Sequence, residues 1–557
     1  MCGIWQLIKK TNISKDEIKY YLPLFDSLKS RGPDKTSLLH INNIVSGFHR
    51  LAIHDLSPLG DQPFIWYENN QLITLVCNGE IYNYKELIEK YDIITKTDSD
   101  CEVIYHLFKL FRSIDRVSIE LRGEFVFILN IITDTKTTSY ISRDPFGVRP
   151  LFYNFDQEMD TYLFSSLLIG LEDNYNMNQS KVFPPANTLT IIYDLDNAGL
   201  ESTWSKYYDY YYPNNLTCSE FELYQKITSK LINAVKIRLS SDRPIGALLS
   251  GGLDSSLVCA IISKILQVKN LNTFSIGISY PNSISVATDL SYAKQVADHI
   301  GSNHTEILFT MEEGLQAIDD VLRTTETWDI TTVRASVGQF LLGKYISENT
   351  DIKVILNGDG ADEVEMGYLY FYLAPTPQQA QAETKKLLEQ IHLYDGLRVD
   401  RCISTHGLEA RIPFLDVDFV DYYMNIDPEL KIPRLDSTRL ARMEKQLIRD
   451  AFNTLYPDLL PEQIMYRKKE AFSDGISSQK KSWFEIIGEW IDTKITDQEF
   501  VERDINKYID CKTKESYYYK KMFYSKFSSI DVIPEYWLPN WINTNGEPSA
   551  RVLQVYK

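Results

Sequence analysis

The sequence predicts two folded units of different class in one chain, an α+β half followed by an α/β half. Up to about residue 200, short apolar runs alternate with turn residues, which is the signature of a sheet-rich unit. From about residue 245, apolar strands alternate with segments of helical period, which implies a parallel sheet covered by helices. Length agrees: 557 residues exceed what one core supports at roughly 150 residues per domain.

In the first half the expected strands are Ile44 to Phe48, Leu72 to Cys77, Phe125 to Ile132, Thr137 to Ser142, Leu163 to Ser165 and Thr188 to Ile192. Between Trp204 and Ser219 the polar, Tyr-laden stretch YYDYYYPNNLT, with Pro213 and two Asn, breaks the periodicity. It divides the chain into residues 2–212 and 213–557. Beyond it come a strand IGALLS (245–250), a helix from Ser255 to Leu266 and a strand TFSIGI (273–278). A helix over Asp289 to Ile300 follows, with Leu290, Ala293, Val296, Ala297 and Ile300 on one face. EILF (306–309) and KVILNG (353–358) supply further buried strands. Roughly the last 140 residues are helical in pattern and end in a polar tail.

A net charge of -18 and a pI near 5.0 exclude nucleic acid as an expected partner, because a phosphate-backbone footprint needs clustered Lys and Arg. No apolar window approaches the ~18 residues of a membrane span, and MCGIWQLIKK lacks the basic region and apolar run of a secretion signal. The expectation is a cytoplasmic protein with no membrane partner. Seven scattered cysteines without a CxxC pair read as reduced thiols, and the histidines form no zinc spacing.

Two segments carry chemistry. Cys2 follows Met1, so removal of Met1 leaves a thiol and a free α-amine on one residue, and an amine of pKa about 7.7 to 8.0 takes the thiol proton directly or through water. Asn78 and Gly79 of NGEIYN follow the apolar run LITLVC; placed at a strand end, a side-chain amide and a backbone N–H converge on one oxygen as an oxyanion hole. Read alone, an N-terminal Cys is a bystander and Asn-Gly a hairpin turn. SGGLDSS (250–256) lies between a buried strand and an apolar helix, where glycines free of Cβ let backbone N–H groups and the helix N-terminus surround a phosphate. It lacks the GxxxxGK[ST] of a Walker A loop. Asp254 and Asp362 are candidate Mg2+ ligands with ATP as co-substrate, or else helix caps.

CGIW, RGPD (31–34), RLAI (50–53), NGEIYN (78–83), SDCE (99–102), RGEF (122–125) and DPFGVRPL (144–151) together resemble the glutaminase domain of class II amidotransferases. That resemblance implies an Ntn-type four-layer αββα sandwich and a glutamine site. Cys2 would attack the side-chain amide, Asn78 and Gly79 would hold the oxyanion, Arg50 the α-carboxylate, and Glu80 and Asp100 the α-ammonium, with the Ile53 backbone close by. SGGLDSS resembles the pyrophosphatase-type loop of adenylating enzymes, implying a PP-loop ATPase domain in which Ser250, Gly251, Gly252, Asp254 and Ser255 contact ATP.

TWDITTVRAS (327–336), NGDGADE (357–363), LEARIPFLD (408–416) and RKKEAFSDG (467–475) resemble segments of asparagine synthetases, and WLPNWI and PSARVL resemble the carboxy-terminal end of eukaryotic-type members. The resemblance implies ATP-dependent amidation of aspartate through β-aspartyl-AMP, giving AMP, pyrophosphate and glutamate, with no organic cofactor. It places adenine on the Leu248 and Ile276 backbones, the ribose and phosphate near Asn357 and Gly358, Lys469 over the phosphates, and Asp359 beside the intermediate or as proton acceptor. Where that family shows Ser-Gly-Glu-Gly, this chain has Asn357-Gly358-Asp359-Gly360, a carboxylate one methylene shorter. Its reduced reach predicts retained but slowed or repositioned chemistry. A homodimer stays open. So do relatives that amidate other carboxylates or close β-lactam rings, the latter lacking an N-terminal Cys, and a binding protein that keeps the folds alone.

Overall fold

The computed structural model describes residues 1–171, 180–194, 199–210, 212–213, 216, 218–280, 287–435, 441–477, 481–527, 532–533 and 535–553. Four positions of YYDYYYPNNLT and the last four residues of the tail therefore lie outside the described residues.

The first half holds β1 (Gly3–Lys9), β2 (Lys35–Ile41), β3 (Ile44–Arg50), β4 (Phe64–Glu68), β5 (Gln71–Ile81), β6 (Gly123–Ile132), β7 (Lys136–Arg143), β8 (Phe152–Asp156), β9 (Thr161–Ser165), β10 (Lys181–Val182), β11 (Asn187–Asp194) and β12 (Gly199–Lys206). They form two six-stranded antiparallel sheets, ordered β10-β8-β9-β1-β3-β2 and β12-β11-β7-β6-β5-β4. Strand alternation explains the layering. On β6, Val126 and Ile128 share a core with Ile4, Ile8 and Phe48 of the other sheet, while Phe125, Phe127 and Leu129 face away, into a core with Tyr105, Leu107 and Phe108 of the helix Val103–Phe111. On β1, Trp5 and Leu7 pack toward Tyr21 and Phe25 of the helix Lys15–Asp26. Two sheets thus lie between helices, as expected.

The second half holds β13 (Ile245–Leu248), β14 (Asn272–Ile278), β15 (Asn303–Phe309), β16 (Val354–Leu356) and β17 (Glu409–Arg411), all parallel and ordered β15-β14-β13-β16-β17. Chain order runs outward in opposite directions from β13, so the crevice beyond the ends of β13 and β16 is a topological switch point, where ligands bind in open α/β sheets.

The expected strands are present, but β5 does not stop at Cys77. It continues to Ile81, so Asn78 and Gly79 sit inside a strand, opposite Val126 and Phe125, and not at its end. The Asn-Gly turn preference yields here to ladder pairing. Gly79 is required by close approach: a Cβ would lie 2.2 Å from the Glu124 carbonyl oxygen. The helix expected over Ser255 to Leu266 begins at Leu253 and ends in a π turn, Ile261–Ile265.

Buried ion pairs join the halves. Arg31 meets Asp400 at 2.6 Å, Arg122 meets Asp416 at 2.6 Å, and Arg238 reaches Glu124 at 3.1 Å and Asp416 at 2.9 Å. Glu326 accepts the backbone N–H groups of Leu168 and Ile169, each at 2.8 Å, while pairing with Arg401 at 2.6 Å. Most of these side chains are almost wholly excluded from water.

Candidate active site

Two cavities are lined by the residues singled out above. In the first half, β1 brings Cys2 beside the end of β3. The Leu51 N–H points at Cys2 Sγ from 3.4 Å and the Leu51 carbonyl lies 3.6 Å away. Arg31 Nε donates to the Cys2 carbonyl at 2.9 Å. Asn78 Oδ1 accepts the Cys2 backbone N–H at 3.0 Å, whereas Asn78 Nδ2 is buried and has no hydrogen-bond partner among the described residues. An orphaned donor beside a thiol is a vacant place for a developing oxyanion. All of Cys2, Arg50, Ile53, Asn78, Gly79, Glu80 and Asp100 line this cavity of about 30 Å³.

Burial pushes the Cys2 thiol up to about 11 and lowers the Met1 amine to about 6; that amine donates to the Leu408 carbonyl at 3.2 Å. The thiol at rest is protonated and needs a base at the moment of attack. Arg50 is pinned by Asp61 at 2.7 Å and by the Ser57, His54 and Asp55 carbonyls. His54 and Gln62 also line the cavity and lie outside the motifs named from the sequence. Burial opposes charge on His54, but Glu80, 3.1 Å away, and Asp100 outweigh it and raise the group to about 9.

In the second half a cavity of about 170 Å³ opens at the switch point. Leu248, Ser250, Gly252, Asp254, Ser255, Ile276, Asn357, Gly358, Asp359, Asp362 and Lys469 line it. Gly251 is not among its lining residues. It turns away at φ +74, and a Cβ there would lie 2.4 Å from the Ala293 nitrogen. Among the described residues a Cβ on Gly252 would meet only Ser250 Oγ, at 3.5 Å, so the space it leaves belongs to the cavity.

Lys445, unannounced by any motif, sits at φ +59 with its ammonium 2.6 Å from Asp254 and 2.7 Å from Asp362; Lys469 pairs with Asp362 at 2.5 Å. Burial alone would raise Asp362, but Lys445 and Lys469 hold it well below the carboxylate range. Asp254 Oδ1 is buried and unpartnered among the described residues, so two carboxylates with an uncommitted oxygen converge on one spot. That donor set fits Mg2+, which takes one or two carboxylates plus substrate phosphates. Among the described residues no group of three or more His, Cys, Asp or Glu could hold an ion unaided.

Asp359 Oδ1 accepts from Arg398 at 2.7 Å, and the same guanidinium nitrogen meets Asp395 at 2.7 Å. Burial raises Asp359 above the ordinary carboxylate value although Arg398 pulls it down, a state suited to taking up a proton. Asp395, Arg398 and Tyr368, all lining the cavity, lie outside every motif named from the sequence.

Residues 1–187 match a family model described as a glutamine amidotransferase domain, and residues 226–388 and 375–531 match asparagine synthase. A probable glutamine-hydrolysing asparagine synthetase of Acanthamoeba polyphaga mimivirus is 38% identical over 573 residues, spanning the whole of both chains. The glutamine-hydrolysing asparagine synthetases of Gallus gallus and Homo sapiens are 39% and 38% identical, across all of this chain and 99% of each relative. Among the described residues no helix is long and apolar enough to cross a membrane.

Proposed function

The chain belongs to the glutamine-hydrolysing asparagine synthetases, ATP-using ligases, and from that premise we propose how its two cavities divide the reaction. Residues 2–212 form the glutaminase domain and 213–557 the PP-loop adenylating domain. The observation that carries the reading is Asn78, whose Oδ1 holds the Cys2 nitrogen while its buried Nδ2 has no partner among the described residues.

Once Met1 is removed, the nitrogen held by Asn78 becomes an α-amine and accepts the thiol proton as Sγ attacks the glutamine δ-carbon. Asn78 Nδ2 and the Gly79 N–H donate to the oxyanion, Arg50 takes the α-carboxylate, and Glu80 and Asp100 take the α-ammonium, with Ile53 alongside. Collapse expels ammonia, and water then cleaves the thioester to glutamate, freeing Cys2.

In the second cavity the aspartate β-carboxylate attacks the α-phosphorus of ATP and pyrophosphate leaves. Ammonia adds to the acyl carbon of the resulting β-aspartyl-AMP, Asp359 takes its proton and AMP departs, leaving asparagine. Ser250, Gly252 and Ser255 cradle the phosphates on the helix N-terminus, Leu248 and Ile276 flank the adenine, and Lys469 neutralises the transferring charge. Asp254 and Asp362 would hold Mg2+, which when bound offsets charge on the leaving pyrophosphate. Seven free cysteines support a reducing compartment, the cytosol.

Glutamine labelled with 15N on its amide, incubated with ATP and aspartate, is expected to give labelled asparagine, AMP and pyrophosphate in equal amounts. Cys2→Ala should abolish this while ammonium salts still support synthesis; simultaneous loss of both activities refutes the division.

A further inference from the structure

Glu80 lines the glutamine cavity, yet its carboxylate is not held by its own half alone. Two cations take the same oxygen, Oε2: His54 Nε2 at 3.1 Å, from the segment after β3, and Arg411 at 3.0 Å, from β17 of the second half. Arg411 is fully buried and locked from behind. Its Nε donates to Glu409 at 2.8 Å, and its Nη1 donates to the Arg238 carbonyl at 2.8 Å and to the Ser240 carbonyl at 2.5 Å. The next residue continues the junction, since the Ile412 N–H donates at 3.1 Å to Glu124, the residue opposite Glu80 on β6. An edge strand of the second half thus fixes two neighbouring carboxylates of the first.

We propose that Arg411 is a positioning residue for glutamine, supplied by the second half, which together with His54 fixes Glu80 through Oε2 and leaves the other carboxylate oxygen to meet the substrate α-ammonium. The proposal rests on the reading that Glu80 binds that ammonium. A carboxylate held by two cations on one oxygen loses the freedom to swing, so the entropy of ordering it is spent before substrate arrives. Both cations are charged at neutral pH: Glu80 and Asp100 raise His54 to about 9 against its burial, and Glu80 and Glu409 raise Arg411 further against its own. The glutamine site is then incomplete without β17, although among the described residues none of the second half touches Cys2 Sγ by a hydrogen bond.

The test is steady-state glutaminase kinetics without ATP on the full-length Arg411→Met, Arg411→Lys and Cys2→Ala variants, with ammonia-dependent asparagine synthesis measured on the same preparations. Arg411→Met is expected to raise the glutamine KM about 10- to 100-fold, the scale of one charge-assisted bond, with kcat little changed and ammonia-dependent synthesis retained. Arg411→Lys should recover part of the KM. A wild-type KM in a folded Arg411→Met overturns the proposal, as does a fall in kcat at constant KM. If Arg411→Met fails to fold, His54→Gln removes only the second grip and carries the test: a KM-selective loss supports the pair, and an unchanged KM overturns it. Cys2→Ala keeps the two readings apart, because glutamate release persisting in that variant would sink the glutaminase assignment itself, whatever Arg411 does.

Discussion

Replacing Asn78 by Asp tests the oxyanion assignment almost atom for atom. The two side chains have the same shape, so Oδ1 can still accept the Cys2 N–H at 3.0 Å. What changes is the other atom, where a buried N–H donor without a partner among the described residues becomes an oxygen that cannot donate when ionised. Among the described residues no group is stranded by the loss, because none is bound there. The cost therefore falls on the transition state, and one such donor is worth about 3 kcal/mol, or 100- to 1000-fold in kcat. Glutamate release should show that fall with the glutamine KM changed by no more than a few-fold, and ammonia-dependent synthesis should stay near the parent rate. A raised KM with undiminished kcat would mean that Asn78 binds the ground state and the transition state equally, and the assignment would be wrong.

His54 gives a pH prediction whose sign follows from its partners. Its value in the fold, about 9, lies above the ordinary 6.5 because Glu80 and Asp100 outweigh burial and the opposing charge of Arg411, with the Tyr84 ring packed alongside. Its stabilisation is therefore full below about pH 6.5 and is lost as pH rises through about 9. Thermal melting from pH 7 to 10 should decline more for the parent than for His54→Gln, and parallel declines would refute it. In the junction, Asp400→Asn strips charge from a buried pair that holds Arg31 at 2.6 Å. Denaturant unfolding should register a loss of about 3 to 5 kcal/mol, and a loss under 1 kcal/mol would show the pair to be dispensable.

Much of both cavities could be read from sequence because their key residues fall in contiguous runs. NGEIYN contributes Asn78, Gly79 and Glu80 to one cavity, and SGGLDSS with NGDGADE contributes the loop and carboxylate residues of the other, among them Ser250, Gly252, Asp254, Asp359 and Asp362. Two local rules misled. The Asn-Gly turn preference ended β5 too early, since pairing with β6 carries the strand on to Ile81. The pair of glycines in SGGLDSS looked equivalent, yet Gly251 serves packing against Ala293 and only Gly252 faces the cavity. Strands β1, β2, β4, β8, β10, β12 and β17 were not among the expected strands, β2 because its residues are half exposed and carry little apolar run, β10 and β17 because they are two and three residues long. Lys445, Arg398, His54 and Arg411 were missed for another reason. Each acts on a carboxylate distant in sequence, as Lys445 does on Asp254, 191 positions away, and no local pattern announces such a partner. The shortened Asp359 shows the same limit: its sequence predicted reduced reach, whereas the fold pairs it with Arg398, a neighbour that only tertiary placement reveals.

The ionic junction bears on how freely the two catalytic halves could be exchanged between proteins. Arg31, Arg122 and Arg238 each hold a carboxylate across it, and Glu124 and Glu326 accept main-chain N–H groups from the opposite side. A chimera joining this amino-terminal half to a foreign synthetase would bring buried charges whose counterions stay behind. Recombination at the linker would therefore yield aggregation-prone hybrids unless several distant positions changed together, which makes the pair heritable as one piece despite its modular look.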